Sequence, residues 1–337
     1  MPNSPFIGVD IGTGNLCCAR MDDKGNTQVR SVRDAFIDVE NDQSHKSMFK
    51  MSGVSFFEEG DTLYIIGDAA LTVANLLKRE VRRPLSQGVI SPGETESEKI
   101  LYILLKQLVG EPSVENEVAY YSIPANPVDK DMDVIYHSAV FKKLLTSLGY
   151  NAKPMNEAAA LVYSNCADNK FTGLASSFGA GMVNTALVYQ TMVGMAFSLS
   201  RSGDYIDTSA AKATNSTSSR IMSIKEKGVN LMDASDGDPK YLREREAIVV
   251  YYRNLVHNVM DSIKKEFKKN SSSIELPDPI PWILSGGTSK PVNFLEFFKQ
   301  EFEQVQKGFP IAISEIRLSK DQLNDVSKGL LLAAMND

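Results

Sequence analysis

A chain of 337 residues is long enough for two domains at the usual ~100–200 residues each, and its 43% hydrophobic content supplies two packed cores, which excludes a disordered chain. Lys and Arg total 36 against 42 Asp and Glu, a net charge of −6 that gives no global basic surface for nucleic acid or an anionic membrane. The three cysteines form no CxxC pair for metal or redox work and fit a reducing cytoplasm; the adjacent Cys17 and Cys18 would point to opposite faces of a strand.

The start, Met1 to Pro5, has no basic or apolar leader region and is expected to run straight into a strand. Phe6–Asp10 and Leu16–Arg20 are apolar runs around Ile-Gly-Thr-Gly-Asn, which predicts a β-hairpin with a Gly-rich turn after an acidic strand end. Val54–Phe57 and Tyr64–Ile66 read as strands and Leu71–Val81 as a helix. Thr95-Glu96-Ser97-Glu98 forms a capping-box pattern ahead of Ile100, Leu101, Leu104, Leu105 and Leu108, an amphipathic helix that Gly110 closes. Val118–Ile123 is a strand ended by Pro124, and Asp129–Leu148 a helix with Gly149 at its C-cap.

No charged residue lies between Lys170 and Arg201, but Gly173, Gly179, Gly181, Gly194, Asn184 and Gln190 interrupt the segment, so it reads as buried sheet with turns rather than a membrane span. Leu174–Phe178 and Thr185–Tyr189 flank a second Gly-rich turn, Gly179 to Asn184, so two halves built on one plan are expected. A polar helix over Ser209–Lys227 and a long one from Tyr241 to Lys269 follow, then a loop through Asn270–Ser273 and Pro277–Pro281. Strand Trp282–Leu284 leads through Ser285-Gly286-Gly287-Thr288 into a helix bearing Phe294, Phe297, Phe298 and Phe302, and the Gly pair lets backbone lie close to a flat or anionic ligand. The last helix, opened by the Ser319–Gln322 capping pattern, contains Gly329, a residue that costs about 1 kcal/mol inside a helix and so predicts close packing of another helix.

Together these pieces resemble the actin-like ATPase superfamily of actins, heat-shock chaperone ATPase domains and sugar kinases. Its first phosphate hairpin is matched by Val9-Asp10-Ile11-Gly12-Thr13-Gly14-Asn15, its first connecting helix by Asn156-Glu157-Ala158-Ala159-Ala160, and its adenosine motif by Leu284-Ser285-Gly286-Gly287-Thr288. Arg83-Pro84-Leu85-Ser86-Gln87-Gly88-Val89-Ile90, Ile66-Gly67-Asp68-Ala69 and Ser202-Gly203-Asp204-Tyr205-Ile206-Asp207 look like prokaryotic filament proteins of the MreB, MamK and ParM type. The resemblance implies an α/β fold of two actin-like (ribonuclease H-like) domains around a nucleotide cleft: residues 1–150 with an insertion at about 33–74, and 151–337 with an insertion at about 201–269. It also implies ATP or ADP with Mg²⁺ as cofactors.

By the same resemblance, Asp10 would hold Mg²⁺ through water, and Gly12, Thr13, Gly14 and Asn15 would meet the phosphates from one side. Ser177, Gly179, Ala180 and Gly181 would meet them from the other. Glu157 would position the attacking water; its alternative is an acid favoured by a helix N-terminus. Gly203 and Asp204 fall in the nucleotide set; Gly286, Gly287 and Thr288 would pack beside the nucleoside, and Lys225 and Glu226 would either contact it or form a solvated helix face. His45, His137 and His257 have no metal spacing and are assigned to surface or core.

The second phosphate hairpin departs from the family's Asp-x-Gly-x-Gly-Thr-Thr-Asp pattern. It reads Ser177-Phe178-Gly179-Ala180-Gly181-Met182-Val183-Asn184, so both glycines remain while a carboxylate and two hydroxyls are lost. The functional expectation is a cytoplasmic ATP-binding protein that self-associates into filaments with slow ATP hydrolysis, with an adaptor or cargo protein as a further partner and no direct binding to nucleic acid or insertion into membrane. The alternatives are a non-polymerising nucleotide-dependent scaffold or sensor, and a small-molecule kinase of the same superfamily.

Overall fold

The computed structural model describes residues 5–77, 79–132, 134–270, 276 and 278–337. Residues 1–4 of the predicted N-terminal lead-in and residues 271–275 and 277 of the Ser- and Pro-rich loop after the long helix lie outside the described residues, as do positions 78 and 133 within two predicted helices. Strands β1 (Phe6–Ile11), β2 (Asn15–Met21) and β3 (Thr27–Arg33) form an antiparallel meander. Next, β4 (Phe36–Glu40), α1 (Gln43–Met51), β5 (Phe57–Glu59), β6 (Thr62–Ile66) and α2 (Asp68–Leu77) build a separate small sheet of order β4-β6-β5. The short hairpin β7 (Leu85–Ser86) and β8 (Val89–Ile90) leads to α3 (Ser97–Val109), β9 (Val118–Ile123), α4 (Val134–Ser147) and β10 (Asn151–Asn156).

Helix α5 (Glu157–Asn165) crosses to a second meander, β11 (Gly173–Phe178), β12 (Val183–Tyr189) and β13 (Met192–Leu199), so the uncharged segment is sheet. Helices α6 (Gly203–Thr214), α7 (Ser218–Glu226) and α8 (Leu242–Asn270) precede β14 (Ile280–Ser285), α9 (Phe294–Val305), β15 (Ile313–Leu318) and α10 (Asp325–Met335). The sheet orders β3-β2-β1-β9-β10 and β13-β12-β11-β14-β15 are the same plan twice: three antiparallel strands, then two parallel ones. No helix among the described residues is long and apolar enough to cross a membrane.

Tertiary contacts move several predicted boundaries. Val54 is not in a strand, because its N–H donates to Phe49 O in closing α1. Helix α2 stops at Leu77 rather than Val81, since Arg82 is drawn into a backbone pair with Phe36. The capping box before α3 does not form: Glu96 precedes the helix without a side-chain cap, and the Ser97 hydroxyl donates to Pro84 O. Helix α4 begins at Val134 instead of Asp129, because the Asp129 carboxylate accepts from Ser200 N–H. The predicted Ser209–Lys227 helix is two helices, separated where Asn215 turns left-handed (φ 56°) and Thr217 recaps the chain through Arg220 N–H. The last helix begins at Asp325, its expected opening residues being folded onto the β14 loop, where Ser319 and Ser285 share a hydroxyl bond.

The two sheets are joined through α5 and α10. A Cβ on Gly329 would lie 1.8 Å from Ala160 O, and one on Gly8 would lie 2.1 Å from Ser327 O, so α10 is wedged between α5 and β1 with no room for a side chain. Ala158, Ala159, Leu161, Val162, Ala175, Ile283, Val326 and Leu330 form the apolar core at this crossing, which fixes the N-terminus of α5 between the sheets.

Candidate functional site: two facing glycine turns

The turns after β1 and β11 have one geometry. Gly12 N–H donates to Asn15 O at 3.1 Å, and Gly179 N–H donates to Met182 O at 2.9 Å. A Cβ at either glycine would come within 2.7 and 2.8 Å of that same carbonyl, so each turn excludes a side chain at this point. Asp10, Gly12, Thr13, Gly14, Asn15 and Cys17 therefore correspond to Ser177, Gly179, Ala180, Gly181, Met182 and Asn184, and the pairs Asp10–Cys17 and Ser177–Asn184 face each other across their strands.

The turn tips meet. A Cβ on Gly14 would lie 3.8 Å from Ala180 Cβ, and one on Gly181 would lie 2.6 Å from Thr13 Oγ1 and 2.5 Å from Gly88 N. The third participant is the β7–β8 turn, where Gln87 (φ 51°) and Gly88 (φ 80°) have the two positive φ angles of a tight hairpin. Gly88 N–H donates to Thr13 Oγ1 at 3.0 Å, so the Thr13 hydroxyl is engaged with this turn, and Met182 packs under Gly88 where no Cβ fits.

Beneath the tips lies an acidic floor. Ser122, at the end of β9, accepts from Ile11 N–H at 2.7 Å and donates to Asp10 Oδ1 at 2.9 Å. Glu157, held at the start of α5 by the Asn156 cap, accepts from Asn184 Nδ2 at 2.7 Å and hydrogen-bonds the Ser177 hydroxyl. The Asn184 amide is oriented from both sides, because its oxygen accepts from Ala125 N–H at 3.0 Å. Burial pushes Asp10 up to about 6 against the hydrogen bonds from Ser122 and Ile11, and burial followed by the charge of Asp10 pushes Glu157 up to about 8. Two buried carboxylates, the second raised in part by the charge of the first, offer hard oxygen donors that suit a divalent cation such as Mg²⁺. Among the described residues no three His, Cys, Asp or Glu side chains converge as ligands, so such an ion would keep most of its water.

Ser177 thus points at Glu157 rather than standing alone where a metal-facing acid was expected, and Asn15 contributes its backbone carbonyl to the first turn. Gly179 O accepts from Ser202 Oγ (2.5 Å), Thr288 Oγ1 (2.8 Å) and Gly203 N–H (3.2 Å), and Ala180 O accepts from Asp204 N–H (2.8 Å). The N-terminus of α6 and the Thr288 hydroxyl therefore brace the second turn. Gly286 (φ 94°) does the same from behind: its Cβ would lie 2.3 Å from Phe178 O, whereas one on Gly287 would have only Leu323 Cδ2 at 3.8 Å. Lys225 is neither free nor on a solvated face, donating to Asp207 Oδ2 (2.8 Å) and Gly203 O (3.3 Å). Burial pushes Asp207 up to about 6 despite the opposing charge of Lys225. Glu226 is exposed.

Sequence reasoning missed Ser122, Ser202, Asp207 and the tip role of Gly88. Ser202 and Asp207 stood in the quoted Ser202–Asp207 run without an assigned role, Gly88 had a Gln-Gly pair between short apolar runs as its signal, and Ser122 had none. The histidines stay apart: His137 is buried against Phe141, His257 bonds Glu301, and His45 bonds Asp42.

No curated protein matches the chain. Among solved structures it is similar to a MamK double helical filament, at 17% identity over 98% of each chain and a TM-score of 0.69. It is also similar to MreB5 of Spiroplasma citri bound to AMPPNP, at 14% identity over 96% of this chain and 94% of the other, with a TM-score of 0.65. A third is ethanolamine utilization protein EutJ from Carboxydothermus hydrogenoformans, at 15% identity over 98% and 90% of the two chains and a TM-score of 0.54. These likenesses establish the actin-like two-domain fold. The Volactin family model matches residues 6–334, nearly the whole length, and this chain belongs to the Volactin family.

Proposed function

We propose that this chain is an ATP-binding, actin-like cytoskeletal protein of the cytoplasm that assembles head-to-tail into filaments and hydrolyses ATP slowly. The observation that carries this reading is the meeting of two glycine turns of one geometry above a floor holding Asp10 and Glu157. Backbone N–H groups of such turns approach a polyphosphate without Cβ obstruction. The fold likeness to a MamK filament and to an MreB5 bound to AMPPNP supports both parts.

In this reading residues 1–150 and 151–337 are the two main bodies, with α10 returning to the first sheet. Asp10 would hold a hydrated Mg²⁺, which supplies positive charge to offset the phosphates. Glu157, fixed by Asn184 and Ser177, would orient the attacking water. Ser177, Met182 and Val183 supply no carboxylate and one hydroxyl, which favours slow turnover, and a scaffold with negligible turnover is the second reading. Pelleting and electron microscopy with and without ATP and Mg²⁺ test the assignment. Nucleotide-dependent filaments are expected, and a chain that neither binds ATP nor pellets overturns it. A sugar-dependent rise in ADP would instead identify a kinase.

A further inference from the structure

Each glycine turn is held from behind by the backbone of an aspartate. Gly14 O accepts from Asp34 N–H at 3.1 Å, and Ala180 O accepts from Asp204 N–H at 2.8 Å. One guanidinium stands between these two aspartates. Arg83 Nη1 lies 3.5 Å from Asp204 Oδ1, and Nη2 lies 3.9 Å from Met222 Sδ on α7. Its charge also acts on the buried Asp34 carboxylate, whose Oδ2 accepts from Leu85 N–H at 3.1 Å. Among the ion pairs between described residues, Arg83–Asp204 alone joins a residue before Tyr150 to one after it.

The two halves also meet through hydrogen bonds. The segment after β9 runs beside the end of β13: Ser198 N–H donates to Asn126 O (3.1 Å), Val128 N–H donates to Ser198 O (3.0 Å), and Ser200 N–H donates to Asp129 Oδ1 (2.9 Å). Ala125 N–H adds the bond to Asn184 described above. Beside these hydrogen bonds the Arg83–Asp204 pair is the charged contact between the halves, and a rotation that spreads the turns has to separate it.

We propose that Arg83 and Asp204 form a latch between the two halves that holds the glycine turns together and opens for nucleotide exchange; the proposal rests on the nucleotide-binding reading above. Arg83 acts here as a positioning residue through Asp204, not as a phosphate ligand. Both side chains are about one-third exposed, 35% and 39%, so the pair is weak enough to open and sensitive to salt.

The test is a double-mutant cycle on the full chain with Arg83→Gln, Asp204→Asn and both together, read by stopped-flow release of mant-ATP at low and high salt. Each single variant is expected to release the probe about two- to fivefold faster, the range for a partly exposed ion pair, and the double variant no faster than either. Salt should accelerate release from the wild type more than from the double variant. Unchanged or simply additive rates overturn the latch while leaving nucleotide binding intact. Amide exchange of residues 83–90 and 203–207 in the unliganded protein separates the two claims. If mant-ATP does not bind, non-additive acceleration of exchange keeps the latch and removes the nucleotide reading, whereas unchanged exchange removes both.

Discussion

Asp10 sits opposite Cys17 in the first hairpin, and at the corresponding places in the second stand Ser177 and Asn184. The backbone around them is alike, down to the Gly12 and Gly179 bonds that close each turn, while the charge is not. A carbonyl lying within 3 Å of where a Cβ would go permits only glycine, whereas the side chain at the strand end projects into a shared floor and can change if its neighbours change with it. Here Glu157 enters that floor from α5, and Ser177 and Asn184 meet it as neutral hydrogen-bonding groups. A carboxylate at either place would face Glu157 and add to the repulsion that Asp10 already exerts on it.

The largest effect expected is at the brace behind the second turn. Gly286→Val combines a left-handed backbone with a Cβ 2.3 Å from Phe178 O, and should lower stability by roughly 3 kcal/mol or more in urea unfolding. The sequence alone predicts a block of the nucleoside site, so Gly287→Ala, whose Cβ meets open packing, is the cleaner probe of that space and should unfold within ~0.5 kcal/mol of wild type. Equal stability of the two variants would detach Gly286 from the second hairpin.

Next in size, Glu157→Gln should slow phosphate release by about 10²-fold while ATP binding and pelleting persist, as for removal of a positioned acid or base. Turnover equal to wild type would take Glu157 out of the reaction. The correspondence of the two turns is tested most directly by Gly12→Ala and Gly179→Ala, each expected to cost about 1–3 kcal/mol because each Cβ strikes its own turn's carbonyl. A loss at one position and none at the other would break the symmetry.

The smallest effect is a slope with pH. Glu157 titrates near 8 when folded and 4.5 when not, so between those values the folded state keeps a proton the unfolded chain has lost. Stability contributed by Glu157 therefore falls as pH rises, by at most about 1.4 kcal/mol per unit. His137, pushed down to about 4 by burial, has the opposite sign and matters only as pH falls below 6.5. Unfolding measured without Mg²⁺ between pH 7 and 8 should thus show a decline that Glu157→Gln flattens and Ser177→Asp steepens. A slope that survives Glu157→Gln would locate the buried proton elsewhere.

Much of this was legible in the sequence, and the misses have two causes. The strands β3, β10 and β15 lie at sheet edges and carry Arg30, Lys153, Pro154 and Glu315, so they lack the apolar runs that mark β1 or β11. Helix starts failed where a capping residue had a stronger distant partner, as Ser97 has in Pro84 O and Asp129 in Ser200 N–H.

What the sequence determined by itself was local: the two glycine turns, β9 ended by Pro124, the long α8, and Gly329 as the contact of one helix on another. Strand alternation, glycine's freedom and proline's missing donor all act within a few residues, so they can be read along the chain. The tertiary structure alone decided the partners of the site, since Thr13 meets Gly88 from 75 residues away and Thr288 meets Gly179 from 109. The bond that crosses between the halves, from Ala125 N–H to Asn184 Oδ1, further requires α5 and α10 to pack the two sheets at a fixed distance, and no local pattern encodes a distance set by a core that forms between them.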